Sequence, residues 1–299
     1  ADNGIGNGHG MFLAFFFLAY RMEKTLASRL AQKGNLCYTW GKRPGGTGTM
    51  TNFKLVIQYD GGRYNGWQRL GNTDNTIQGK IERVLSEMTG HAVEIHGAGR
   101  TDAGVHAAGQ VASFKINTAM QPDEIRDYLN HYLPQDIGIL SCESMPERFH
   151  ARLTPSSKHY TYRLWCSKLP NVFERRYLTL WDKPLDLDAM RKAADLLCGT
   201  HDFRAFSSVN RRFQKSTVRT IDSITITSNG GEVRLDFRGN GFLYHMVRIL
   251  TGTLVEIGAG ERDPDSILRA FASQNRQDAG ITMPPQGLIL TQIQYPGCR

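Results

Sequence analysis

In the stretch GAGRTDAGVHAAG, residues 97–109, glycines surround one arginine, one aspartate and one histidine. Arg100, Asp102 and His106 are residue types that hold phosphate, metal or a reacting proton. A dinucleotide fingerprint is a poor match: Gly97 and Gly99 give G-x-G, but the third glycine position holds Asp102, and no G-K-[ST] follows. A metal site is weakly signalled, because Asp102 and His106 stand four apart with no third ligand suggested nearby. A plain turn is over-built here. A two-residue hairpin needs one glycine, and long loops in compact domains are often functional. A loop that holds a carboxylate for chemistry stands beside these readings.

Such a loop needs rigid elements on both sides. FKLVIQYD (53–60) reads as a strand. TIQGKIERVLSEMTG places Ile77, Ile81, Val84, Leu85 and Met88 on one helical face, with Gly90 as the stop. AVEIH (92–96) and QVASFKI (110–116) read as strands flanking the loop. QPDEIRDYLNHYLP reads as a helix with Pro122 in its first turn, and DIGILSCE (136–143) as a strand. The order is β-α-β-β-α-β. It returns in the second half: KHYTYRLW (158–165), the helix 186–199 capped by Asp186, strands 223–228 and 232–239 joined through Asn229-Gly230-Gly231, a helix over 242–258, another capped by Asp263, and LILTQIQY (288–295). The expected fold class is α+β: two ferredoxin-like (RRM-like) subdomains, 51–150 and 151–299, side by side with the active-site cleft between them.

Residues 1–49 differ in character. The run MFLAFFFLAY is too short to span a bilayer. No basic region precedes it and no small-residue cleavage site follows, which argues against a signal peptide. The expectation is that Met50 is the natural start and the leader a translated upstream stretch; a short amphipathic helix over Glu23 to Gln32 is the alternative. The formal charge is +8 over 299 residues, but the leader holds half of it, leaving net +4 for the rest. That excess allows an RNA partner without demonstrating one. Five dispersed cysteines with no C-x-x-C pair signal neither a zinc ribbon nor a disulfide framework, and fit a cytoplasmic protein.

The loop GAGRTDAGVHAAGQV resembles the active-site loop of the TruA-type tRNA pseudouridine synthases. Six further stretches match in order: YDGGRYNGWQR (59–69), NHYLPQDI (130–137), FHARLTPSSKHYTYR (149–163), HDFRAF (201–206), GNGFLYHMVRILTG (239–252) and PPQGLIL (284–290). The resemblance runs from Phe53 to Pro296; the leader has no counterpart. It implies isomerisation of uridine to pseudouridine at positions 38, 39 and 40 of the tRNA anticodon arm, with no metal, no cofactor and a homodimer acting on tRNA.

The resemblance also implies roles. Asp102 is the catalytic carboxylate, attacking C1′ of the flipped-out uridine, assisting sugar deprotonation or attacking C6. Arg100 takes the place of the extruded base. Tyr160 lies against the uracil, with Tyr162 the structural aromatic of the pair. Arg248 partners Asp102, and Leu288 lines the pocket wall. His106 is a further substrate-side candidate, while His245 reads as a structural histidine. Arg63, Arg69, Lys158, Arg163, Arg211, Arg212 and Lys215 are candidates for RNA phosphates. Two rivals stand beside this reading. One is a non-catalytic RNA-binding module of two RRM-like units, for which no RNP-type aromatic run is present. The other is a small-molecule enzyme with an acid–base aspartate.

Overall fold

Alternating β-branched and aromatic residues build one large mixed sheet. In the computed structural model residues 50–210 and 212–296 are described. The leader, with its two readings, and Arg211 lie outside them. The first strands are β1 (Met50–Tyr59), β2 (His96–Gly97), β3 (His106–Asn117) and β4 (Ile137–Met145). The second set is β5 (Ser157–Trp165), β6 (Thr179–Leu180), β7 (Gly199–Asp202), β8 (Val218–Asn229), β9 (Glu232–Gly239) and β10 (Leu288–Gln294). The sheet runs β4-β1-β3-β10-β5-β9-β8-β7, with β2 also on β3 and β6 on β5.

Local chemistry sets the helices. α1 (Ile77–Thr89) starts where the Thr76 hydroxyl accepts from Gly79 N–H at 3.2 Å and stops at Gly90 in the left-handed region. α2 (Pro122–Tyr132) opens on proline, and the Glu124 carboxylate accepts from Gln121 N–H at 2.9 Å. In α3 (Leu187–Leu197) Asp186 accepts from the N–H groups of Asp188 and Ala189. α4 (Met246–Gly258) is buried at every residue but Arg248, and its buried carboxylate, Glu256, is met by Arg262 at 2.6 Å. α5 (Ser266–Ser273) follows. Among the described residues no helix is long and apolar enough to cross a membrane.

Several expected boundaries shift. The helix expected from Phe242 begins at Met246, because His245 adopts φ 61 and breaks the helical run. Asp263 does not cap α5 directly: its carboxylate accepts from Asp265 N–H, and the helix begins one residue later. The strand expected over 92–96 shrinks to His96–Gly97, and the strand after the loop starts at His106. The loop is therefore residues 98–105. β6 and β7 were not expected; both are short pairings made by neighbours rather than by their own sequence pattern.

The two halves meet at β10. It pairs in parallel with β3 only through Ile289–His106 and Leu290–Ala107, and antiparallel with β5 along most of its length. Beyond that short seam the same edge of β3 is taken by β2, at Ser113 and Ala112. The core is buried on each side: Phe53 stacks on Phe114 across β1 and β3 at 5.4 Å, while Tyr162, Leu235 and Phe237 are buried on the paired β5 and β9.

Candidate active site

The loop 98–105 is fixed at successive residues. Ala98 N–H donates to Val111 C=O at 2.8 Å, and Ala98 C=O accepts from the Lys158 ammonium at 2.9 Å. Gly99 C=O accepts from Gln110 Nε2 at 2.9 Å, and the Thr101 hydroxyl meets Tyr59 Oη at 2.8 Å. Thr101 C=O accepts from Trp67 N–H at 3.0 Å. The first motif, YDGGRYNGWQR, therefore supports the loop from behind. Gly61 shows how closely: a Cβ there would sit 1.9 Å from the Val105 carbonyl oxygen. These bonds hold backbone that would otherwise have no ladder to join.

Asp102 projects from this seat and is about one-fifth exposed. The Arg248 guanidinium lies 3.3 Å from its Oδ2, and His245 Nε2 lies 3.6 Å from the same oxygen. Arg248 is held in turn: its Nε donates to Met283 C=O at 2.6 Å, and its own carbonyl accepts from Met283 N–H at 3.3 Å. His245 Nδ1 meets the Ser208 hydroxyl at 3.0 Å, and its ring stacks on Tyr244. Burial draws the His245 pKa below the usual histidine value, with the Arg248 and Arg276 charges adding to that and the Asp102 carboxylate opposing it. At neutral pH the charge facing Asp102 is therefore that of Arg248.

Tyr160 is buried on β5, edge-on to Phe242 at 5.1 Å. Burial pushes its phenol pKa far up, and the nearby Tyr59 and the Asp102 carboxylate add to the shift. The hydroxyl stays protonated and is free to donate. Tyr162 is placed differently. Its hydroxyl donates to Pro284 C=O and meets Thr179 Oγ1, both at 2.7 Å, as a structural residue does. Leu288 is buried opposite Tyr162 at the start of β10.

The remaining candidates are spread around this centre. Arg100 is exposed on a cleft of about 230 Å³ that Trp67, His96, His150 and Arg152 also line. His106 lies on β3 and is only 3% exposed; its Nδ1 accepts from Gly61 N–H at 3.1 Å and faces Asp60 at 3.1 Å. It supports the motif behind the loop. Arg63 pairs with Asp136, Arg69 reaches the buried Glu82 at 3.3 Å, and Arg163 is locked between Glu232 and Glu174 at 2.7 Å each. Arg212 and Lys215 are exposed.

Sequence reasoning gave His245 no place at the carboxylate. A signal was present, since His245 stands three residues before Arg248 and both belong to one apolar stretch. Ser208 and the Met283 carbonyl carried no such signal, because a long-range backbone contact leaves no pattern in sequence.

One carboxylate, one fixed counter-charge and one protonated tyrosine suit a reaction in which a bond to carbon is broken and remade with no water consumed. Comparison with known proteins bears on which. The family model described as tRNA pseudouridine synthase matches residues 55–153 and 193–296. The chain is 49% identical over 246 residues to tRNA pseudouridine synthase A of Bacillus sp. (strain KSM-64), covering 82% of this chain and 100% of that one. It is 44% identical over 246 residues to tRNA pseudouridine synthase A 2 of Bacillus anthracis, with the same coverage of 82% and 100%. It is 43% identical over 250 residues to tRNA pseudouridine synthase A of a Geobacter species, covering 83% and 100%. Matched through both halves, including the Asp102 loop and the Arg248 helix, the chain belongs to the tRNA pseudouridine synthase family, and its reaction is the isomerisation of uridine to pseudouridine in tRNA.

Proposed function

We propose that Asp102 is the nucleophile of this isomerisation, acting on a uridine flipped out of the anticodon arm at positions 38, 39 and 40. The single observation that carries the reading is Asp102, about one-fifth exposed, held 3.3 Å from Arg248. In the C1′ route the carboxylate bonds to C1′ as the N1–C1′ bond breaks. The uracil, which left with the N1 electron pair, turns, C5 bonds to C1′ as the carboxylate leaves, and the proton lost from C5 is matched by one taken up at N1. Attack at C6 and sugar deprotonation use the same carboxylate. Arg100 fills the gap left by the extruded base, Tyr160 packs on the uracil, and Leu288 closes the wall. His106 takes part from behind, through Gly61.

Two further parts of the reading are architectural. Numbered within its own half, and leaving aside the short β6 and β7, each half has four strands in the spatial order 4-1-3-2: β4-β1-β3-β2 and β10-β5-β9-β8. That equality supports two ferredoxin-like subdomains, 51–150 and 151–299, with the substrate cleft between them. A cytoplasmic homodimer completes the reading, offering one tRNA a groove across two subunits.

Tritium release from C5-labelled uridine in tRNA tests the proposal. The wild-type protein releases label. Asp102→Asn keeps the shape, binds tRNA and releases none. Residual turnover above about a tenth of wild type, about 1.4 kcal/mol of barrier, assigns the nucleophile elsewhere. A wild-type protein that binds tRNA and releases no label is an RNA-binding module.

A further inference from the structure

Two side chains reach the same oxygen of Asp102. Arg248 stands 3.3 Å from Oδ2 and His245 Nε2 stands 3.6 Å from it; among the described residues neither contact falls on Oδ1. The backbone is bent where the histidine arrives. His245 takes φ 61, and Gln274 is the one other non-glycine residue with positive φ among the described residues. A residue with a Cβ holds that conformation at a cost, and such outliers cluster at functional sites. The ring is held from two directions. Tyr244 stacks on it at 3.7 Å between centroids, and the Ser208 hydroxyl, thirty-seven positions earlier in the chain, meets Nδ1 at 3.0 Å. Ser208 is itself fixed, since its N–H donates to Tyr244 C=O at 3.0 Å.

The ring is uncharged at neutral pH, because burial and the Arg248 and Arg276 charges outweigh the Asp102 carboxylate. A neutral imidazole carries one N–H and one lone pair. With the proton on Nδ1, the Nε2 lone pair would face an anionic oxygen and be repelled. With the proton on Nε2, the ring offers a donor to Oδ2 and the Ser208 hydroxyl donates to Nδ1, so every group is satisfied. We infer that His245 is a positioning residue for the isomerisation: held by Ser208 as the Nε2–H tautomer, it donates to Asp102 Oδ2 alongside Arg248 and leaves Oδ1 as the oxygen turned to the uridine. The inference rests on the reading of Asp102 as nucleophile and deepens it by naming the oxygen that reacts. A small tilt of the ring closes 3.6 Å to a hydrogen bond, and contacts of this kind tighten as substrate binds. Two donors on one oxygen resist rotation of the carboxylate more than one does, and a misaimed nucleophile loses rate rather than affinity.

Two substitutions separate the ring nitrogens: the asparagine amide reaches about as far as Nδ1, and the glutamine amide about as far as Nε2. His245→Asn keeps a partner for Ser208, and asparagine tolerates positive φ. It is expected to melt like wild type, bind tRNA with unchanged Kd and release tritium about tenfold more slowly in single turnover. His245→Gln returns a donor to Oδ2 and regains most of that rate. A wild-type rate in His245→Asn, a loss that appears in Kd instead of rate, or a folded His245→Gln as slow as His245→Asn overturns the role. The tautomer is read without activity, from nitrogen-NMR shifts of isotope-labelled histidines at neutral pH, with the His245 signal identified by its loss in His245→Asn. Protonated Nε2 is expected, and protonated Nδ1 overturns the inference. If melting shows His245→Gln unfolded, the His245→Asn rate and the tautomer carry the test. Turnover that persists in Asp102→Asn counts against the functional reading, while the tautomer still judges the contact.

Discussion

Tyr160 and Tyr162 stand two residues apart on one strand and carry the same hydroxyl in opposite circumstances. Tyr162 satisfies the Pro284 carbonyl and the Thr179 hydroxyl in the core. Removing it leaves buried polar groups unpaired, which costs about 1–3 kcal/mol. Tyr162→Phe is therefore expected to lower Tm measurably. Among the described residues the Tyr160 hydroxyl makes no such structural bond, so Tyr160→Phe should melt like wild type and turn over more slowly. Melting curves and single-turnover rates on the two variants check this, and a slow, stable Tyr162→Phe would reverse the assignment. Arg248→Met tests the ion pair. With both partners less than one-fifth exposed, breaking it strands a half-buried carboxylate at a cost of about 3–5 kcal/mol. Single-turnover rate should fall by at least about a hundredfold if even about 2.7 kcal/mol of that appears in the barrier. A wild-type rate in Arg248→Met removes the arginine from the site.

At the scale of elements, sequence made some of the site legible and hid the rest for physical reasons. Periodicity located α1, α2 and α3, because an amphipathic face and a cap are local properties. It singled out Arg248, a charge amid the apolar residues of α4, which the structure puts 3.3 Å from Asp102. It misplaced the start of that helix, because His245 adopts a left-handed conformation at the break, with its ring held by Ser208 from a distant part of the chain. It made the Asp102 loop too long, because the first residues of β3 are paired by β10, nearly two hundred positions away. The packing of the 59–69 motif under the loop was likewise invisible. Gly61→Ala probes that packing. The obstacle is the Val105 backbone carbonyl, which no rotamer change can move aside. Overpacking of this kind costs about 1–3 kcal/mol, and here the loop itself must shift. The expected result is a lower Tm together with a turnover loss larger than that of a variant equally destabilised in α5. Equal losses would mean that the loop's seat does not depend on this contact.

Across the whole molecule the weak joint is the short parallel seam between β3 and β10, and His106 sits in it, paired with Ile289. Its ring is buried, its Nδ1 accepts from Gly61 N–H, and it packs edge-on against Tyr177. Desolvation holds its pKa below the usual 6.5, although the Asp60 carboxylate pulls the other way. The neutral ring is thus the form the fold requires. In the unfolded chain the same histidine takes up a proton near its ordinary value, so between that value and the lower folded one the unfolded state binds more protons. The contribution to stability is full above about 6.5 and is lost as pH falls toward the folded value, with a slope of at most about 1.4 kcal/mol per pH unit. His150, His159 and His245 are shifted the same way, chiefly by burial, and act in the same window. The carboxylates held low by partners, Asp136 and Glu232, act only at lower pH, beneath the ordinary carboxylate range. Thermal unfolding followed from about pH 7.5 downward, roughly two units through the histidine range, should therefore show falling Tm before Asp136 or Glu232 titrates. His106→Asn offers an oxygen to the Gly61 N–H and cannot be protonated there. It should melt lower at neutral pH, for want of the ring, but lose less Tm on acidification. An acid slope in His106→Asn as steep as that of wild type would place the acid-labile group elsewhere than at the seam joining the two halves.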